Sequence, residues 1–127
     1  MAMTLLGDFT AISGNDVISV PKSAPGTEVF VSTFDTGGCQ RFGSALLMLS
    51  VRLVGTQEAS ADVLVNSASA GIVVAASTNE FRVKILTFPA TSLRADRGEN
   101  NRISLSNVTQ PLEIKTILCF FHQATDG

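Results

Sequence analysis

The feature that most constrains this chain is a period of two. In residues 80–88, Phe81, Val83, Ile85 and Thr87 fall on one side. Arg82 and Lys84 begin the other side, which turns apolar at Leu86 and Phe88. Successive side chains of an extended chain point to opposite faces, so alternation among β-branched and aromatic residues marks a half-buried strand. Residues Glu28–Phe34 repeat the pattern with Val, Phe and Thr. Pro111 opens a longer run over residues 112–121. Glu113 and Lys115 share one face at its start, and from Ile117 to Phe121 both faces are apolar. Residues 16–20, 61–65, 71–76 and 102–106 are shorter candidates. Residues 45–54 contain the good helix formers Leu46, Leu47, Met48 and Leu49, but no polar stripe at helical spacing. Ser50 and Arg52 instead alternate with Leu49, Val51 and Leu53, which predicts a buried strand.

Turn residues separate these segments: Ser13-Gly14-Asn15, Pro25-Gly26, Thr36-Gly37-Gly38, and residues 67–71 and 97–101. About eight short strands so punctuated predict an all-β, single-domain β-sandwich or jelly roll with antiparallel strands. The 127 residues suffice for one hydrophobic core, and no repeat or low-complexity linker marks a second domain. Gly7, Gly14, Pro21, Pro25 and Gly26 interrupt residues 1–26. That stretch is expected to form an N-terminal arm or edge segment beside a β-sandwich of residues 27–127.

Composition narrows the function classes. Charged residues are 16% of the chain and the formal charge is −2, with no basic face. Nucleic acid and anionic membrane are therefore not expected as partners. Arg94, Arg97 and Arg102 are interleaved with Asp96 and Glu99 and read as a solvated loop. No apolar run approaches the length of a membrane span. The opening residues lack the basic and long apolar regions of a signal peptide, so a virion or cytoplasmic location is expected. Asn107-Val108-Thr109 is a glycosylation sequon that means little without such a peptide.

Catalytic chemistry finds few residues to work with. Phe34-Asp35-Thr36-Gly37 resembles the active-site triplet of aspartic proteases, in which an apolar strand end presents Asp-Thr-Gly. The resemblance covers four residues. It implies a dimer whose two Asp35 carboxylates share one proton to activate water. The apolar-apolar-Gly segment that the family carries further along falls here at Leu93-Arg94-Ala95-Asp96-Arg97-Gly98, which is charged. Read from the residues alone, Asp35 closes an Asx-turn onto the glycines.

His122 is the sole histidine and reads as an exposed residue at the end of the last strand. Cys119 stands three residues before it, on the opposite face of a strand, so the two cannot pair as thiolate and base. No nucleophile elbow or phosphate loop is present. One histidine and two distant cysteines exclude a zinc cluster. Asp96, Glu99, Asn100 and Asn101 could hold calcium in a loop, but Arg97 and Arg102 oppose it. Cys119 reads as a small buried hydrophobe, with a Cys39–Cys119 bridge as the alternative. No catalytic, metal or cofactor residue is therefore assigned, and no cofactor is expected.

Two non-enzymatic classes remain. A carbohydrate- or receptor-binding sandwich would use flat aromatic platforms, yet the chain has no Trp and no Tyr. Its eight Phe residues mostly sit in strand patterns, where core packing is the default. The favoured expectation is a structural assembly protein, because strands apolar on both faces need a cover and a subunit interface is the usual one. Concretely, this is a virion component such as a bacteriophage capsid decoration (cement) protein or a small capsid or tail accessory subunit. It would associate with itself, in a closed ring such as a trimer, and attach to a larger protein shell. Ile117, Leu118, Phe120 and Phe121 are its expected interface residues.

Overall fold

A computed structural model describes residues 6–13, 16–98 and 100–123. Among these the chain forms nine strands: β1 Leu6–Ser13, β2 Ile18–Val20, β3 Glu28–Phe34, β4 Ser44–Leu53, β5 Ala59–Val65, β6 Ala68–Ala75, β7 Arg82–Pro89, β8 Asn101–Ser106 and β9 Leu112–Gln123. One 3₁₀ turn, Ala90–Ser92, follows β7. The strands make two antiparallel sheets. One is ordered β1-β9-β4-β7, with β2 also paired to β9, and the other is ordered β3-β8-β5-β6. Only β5 and β6 are neighbours both in sequence and in a sheet; every other in-sheet neighbour is reached by crossing between sheets. This is the double-sheet arrangement of a jelly roll, so the all-β sandwich expected from the alternation is the fold found.

Residues 6–13 and 18–20, expected as an arm or edge segment, form β1 and β2, both hydrogen-bonded to β9. The turn Ser13-Gly14-Asn15 lies partly, and residues 1–5 wholly, outside the described residues. Residues 45–54 are indeed a strand, β4, the centre of its sheet between β9 and β7. No described helix is long and apolar enough to cross a membrane.

The core lies between the sheets. From β4 it takes Ala45, Leu47, Leu49, Val51 and Leu53; from β5, Ala59, Ala61, Val63 and Val65; from β9, Leu112, Ile114, Ile117, Cys119 and Phe121. Those spacings are period two except in β9, where Ile114 and Ile117 are both buried. The break is a β-bulge. Thr116 has φ +55°, and the β4–β9 register slips between Met48↔Leu118 and Ser50↔Lys115. The extra residue resets which parity faces inward.

In β7 the core takes Leu86 and Phe88, the side that Arg82 and Lys84 begin, while Val83 and Ile85 face solvent. The β5–β6 hairpin turns at Asn66 and Ser67, both at positive φ as the twist of a two-residue turn demands. Gly71, at φ +129°, lets β6 approach β7: a Cβ there would lie 3.1 Å from Leu86 Cδ2.

Candidate functional site

The residues singled out in the sequence are placed as follows. Asp35 stands at the end of β3. Its Oδ1 accepts the Gly37 N–H at 2.7 Å and the Gly98 N–H at 2.9 Å. Those backbone donors hold its carboxyl below the usual carboxylate range. The first is the Asx-turn; the second ties the β3–β4 loop to the β7–β8 loop. Asp35 is thus committed to loop structure.

The acidic loop is built similarly. Asp96 accepts from Asn100 Nδ2, and Asn101 is fully buried, its Oδ1 accepting from Asn66 Nδ2 and Arg94 N. Glu99 lies outside the described residues, and among those described no group of His, Cys and carboxylates could hold a metal ion. The sequon residue Asn107 donates to Asp62 Oδ2 at 2.6 Å and accepts the Gly26 N–H.

Cys39 and Cys119 are free and buried. Burial, with Cys39 nearby as a lesser cause, pushes the Cys119 thiol up to about 12. Burial raises Cys39 too, and its Sγ donates to Arg94 O.

The four expected interface residues are divided by the strand's alternation. Ile117 and Phe121 point inward and belong to the core. Leu118 and Phe120 are half-buried on the outer face of the five-stranded sheet. There Phe120 pairs in register with Phe9 of β1 and Leu46 of β4, and Leu118 pairs with Met48. The Phe9 and Phe120 rings are 5.7 Å apart, and Phe9 is 58% exposed.

His122, two residues beyond Phe120, shares that face. It is half-buried and stacks on Phe42 with ring centroids 6.4 Å apart. That corrects its reading as an exposed terminal residue: β9 continues past it to Gln123, and the Phe42 ring covers it. Its Nδ1 is buried and makes no hydrogen bond among the described residues.

These residues converge on a groove of about 340 Å³ lined by Asp8, Phe9, Ser44, Leu46, Phe120, Phe121 and His122. Asp8 Oδ1 is engaged by the Phe9 N–H at 2.8 Å. The size and character fit a small-molecule site: concave, mostly apolar, with a few polar groups at the rim. Asp8, Ser44 and His122 resemble a catalytic set only in composition, because no hydrogen bond joins His122 to either of the others. The groove can hold a flat apolar ring against Phe9 and Phe120 and offer hydrogen bonds from Ser44 and His122. Lower on the same face, Phe81 is flanked by Arg52 at 4.3 Å and Lys115 at 4.4 Å, with Arg52 paired to Glu113 at 2.8 Å.

Sequence reasoning missed Phe9, Phe42, Ser44, Leu46 and His122. Of the eight Phe residues only Phe34, Phe88 and Phe121 are buried, so core packing was the wrong default for most of them. The available signal was that β4 and β9 are apolar at both parities, so one apolar row of each must face out.

No family model matches the chain, and no curated protein matches it. Among solved structures, it is similar to the EclA C-terminal domain, described as a sugar-binding protein. That match has TM-score 0.48 and 9% identity over 94% of this chain and 80% of the other. It is also similar to a family 35 carbohydrate binding module from Clostridium thermocellum, at TM-score 0.47 and 11% identity over 92% of this chain and 99% of that one. At these identities neither likeness says what this chain binds.

Proposed function

We propose that this chain is a non-catalytic binding module whose groove at Phe9, Phe120 and His122 takes a sugar ring. The observation that carries the reading is the buried, unpartnered Nδ1 of His122 in a groove walled by aromatic rings. A buried polar atom without a partner is costly and uncommon in native proteins, and a ligand hydroxyl would satisfy it once the Phe42 ring that covers His122 moves aside. A pyranose has the matching duality: an apolar C–H face for a ring platform and hydroxyls around its edge. Phe supplies the platform here without the polar handle of Trp or Tyr, so Ser44 and His122 supply the polar contacts.

Calorimetric titration with a panel of methyl glycosides (glucose, galactose, mannose, N-acetylglucosamine) tests this. At least one is expected to bind with millimolar or better affinity. His122→Ala and Phe120→Ala should each weaken it by tenfold or more while the far-ultraviolet dichroism stays that of the parent. No binding by any sugar, or binding indifferent to both substitutions, would remove the reading.

A second reading keeps one observation of its own. Val83 and Ile85, 59% and 63% exposed on the same face, are what a subunit interface would cover. Self-association into a virion component, attached to a larger shell, predicts a stable oligomer at micromolar concentration in light scattering. A monomer there leaves the binding module.

A further inference from the structure

Beside the aromatic groove lies a second depression of about 220 Å³, lined by Leu46, Met48, Ile85 and Phe120. Among the described residues no polar side chain lines it, and it shares Leu46 and Phe120 with the first groove. The register explains the continuity. Leu46 stands beside Phe120 on β9, while Met48 stands between Leu118 on β9 and Ile85 on β7. The row ends at Val83, opposite Ser50, before the Arg52, Lys115 and Phe81 cluster. One hollow is therefore aromatic with polar groups at its rim, the other is purely apolar, and a common wall joins them.

We infer that the ligand is an amphiphile: a glycoside whose sugar occupies the His122 groove and whose apolar aglycone lies along Met48, Ile85 and Val83. The inference rests on the sugar reading of the adjoining groove and extends it to the substituent at the anomeric carbon. A free sugar would leave the apolar hollow wet. A purely apolar ligand would leave the His122 nitrogen unsatisfied. Only a molecule with both parts answers both features. From Leu46 to Ser50 the strand rises about 13 Å at about 3.3 Å per residue. That is the reach of an extended alkyl chain of roughly ten carbons.

Octyl and methyl glycosides of the four sugars named above, compared by calorimetry below their micellar concentrations, provide the test. A fully buried methylene improves binding about fourfold. The hollow is open on one side, so the octyl compound is expected to bind tenfold or more tighter than its methyl counterpart. Met48→Ser and Ile85→Ser, both on the outer face, should abolish that advantage and leave methyl glycoside affinity within twofold.

Equal affinity of the methyl and octyl compounds would overturn this inference and leave the sugar reading standing. An octyl advantage that survives both substitutions would overturn it as well, since the tail would then lie elsewhere. Octyl binding that ignores the sugar and is matched by 1-octanol would overturn both, as would no binding at all.

Discussion

The two outward faces of the sandwich are made by the same alternation and end in different states. On the four-stranded sheet, the central strands β8 and β5 present Arg102, Ser104 and Asp62, and these are engaged. Ser104 Oγ donates to Glu28 Oε1 at 2.9 Å, Asp62 receives Asn107, and Arg102 lies 5.0 Å over the Phe30 ring. The exposed apolar residues there, Phe30 on β3 and Ile72 and Val74 on β6, sit on opposite edges with the polar rows between them. On the five-stranded sheet the apolar residues are contiguous across β1, β9, β4 and β7, and beside them His122 Nδ1 is unpartnered among the described residues. Scattered exposed hydrophobes are ordinary on a folded surface; a continuous apolar strip beside an unsatisfied nitrogen is not. That difference is what the proposed site rests on.

The sharpest way to break this comparison is to truncate the two neighbouring rings at the end of β9. Phe121 is in the core and Phe120 is outside. Phe121→Ala should cost about 3–5 kcal/mol in urea unfolding, the usual loss for a buried ring. Phe120→Ala should cost about 1 kcal/mol, as partly exposed positions do, while removing ligand affinity. Equal costs would mean that the alternation of β9 had been assigned to the wrong faces.

That assignment is also where legibility in the sequence ends. Eight of the nine described strands follow from alternation and turn residues, including β4, where Ser50 and Arg52 betray a period of two among good helix formers. The bulge at Thr116 does not follow, because a β-branched residue at φ +55° has no local preference for that conformation. Tertiary pairing with β4 imposes it. Without the bulge, residues 117–121 read as one doubly apolar block, and the core pair Ile117 and Phe121 could not be told from the surface pair Leu118 and Phe120. In β7 both parities carry apolar residues, so the choice of Leu86 and Phe88 for the core depends on the facing sheet. β1 was not anticipated as a strand because its pairing partner, β9, is over a hundred positions away. The groove needs β1, β4 and β9 together, so only its β9 portion was within reach of the sequence.

A smaller effect separates the loop rim from both faces. The Asp35 carboxylate is favoured in the folded state by the Gly37 and Gly98 N–H donors, so its folded pKa lies below its unfolded one. Its contribution is therefore present above the ordinary carboxylate range, near pH 4, and is lost as pH falls through the lowered value. Asp35→Asn should lower the thermal midpoint at pH 7, and the gap to the parent should close on acidification below about pH 4. A gap that widens in acid would contradict the hydrogen-bonded turn. Ligand binding should be indifferent to the substitution, because Asp35 does not line the groove.

The central claim is that the outer face of the five-stranded sheet, and not that of the four-stranded one, holds the ligand. It is tested most directly by following methyl and aromatic NMR resonances while an octyl glycoside is added. The account predicts saturable shifts at Phe9, Leu46, Met48, Ile85, Phe120 and His122, with Phe30, Leu64 and Ile72 of the other sheet unmoved. Shifts centred on Phe30 and Ile72, or an unchanged spectrum across the whole glycoside panel, would contradict it.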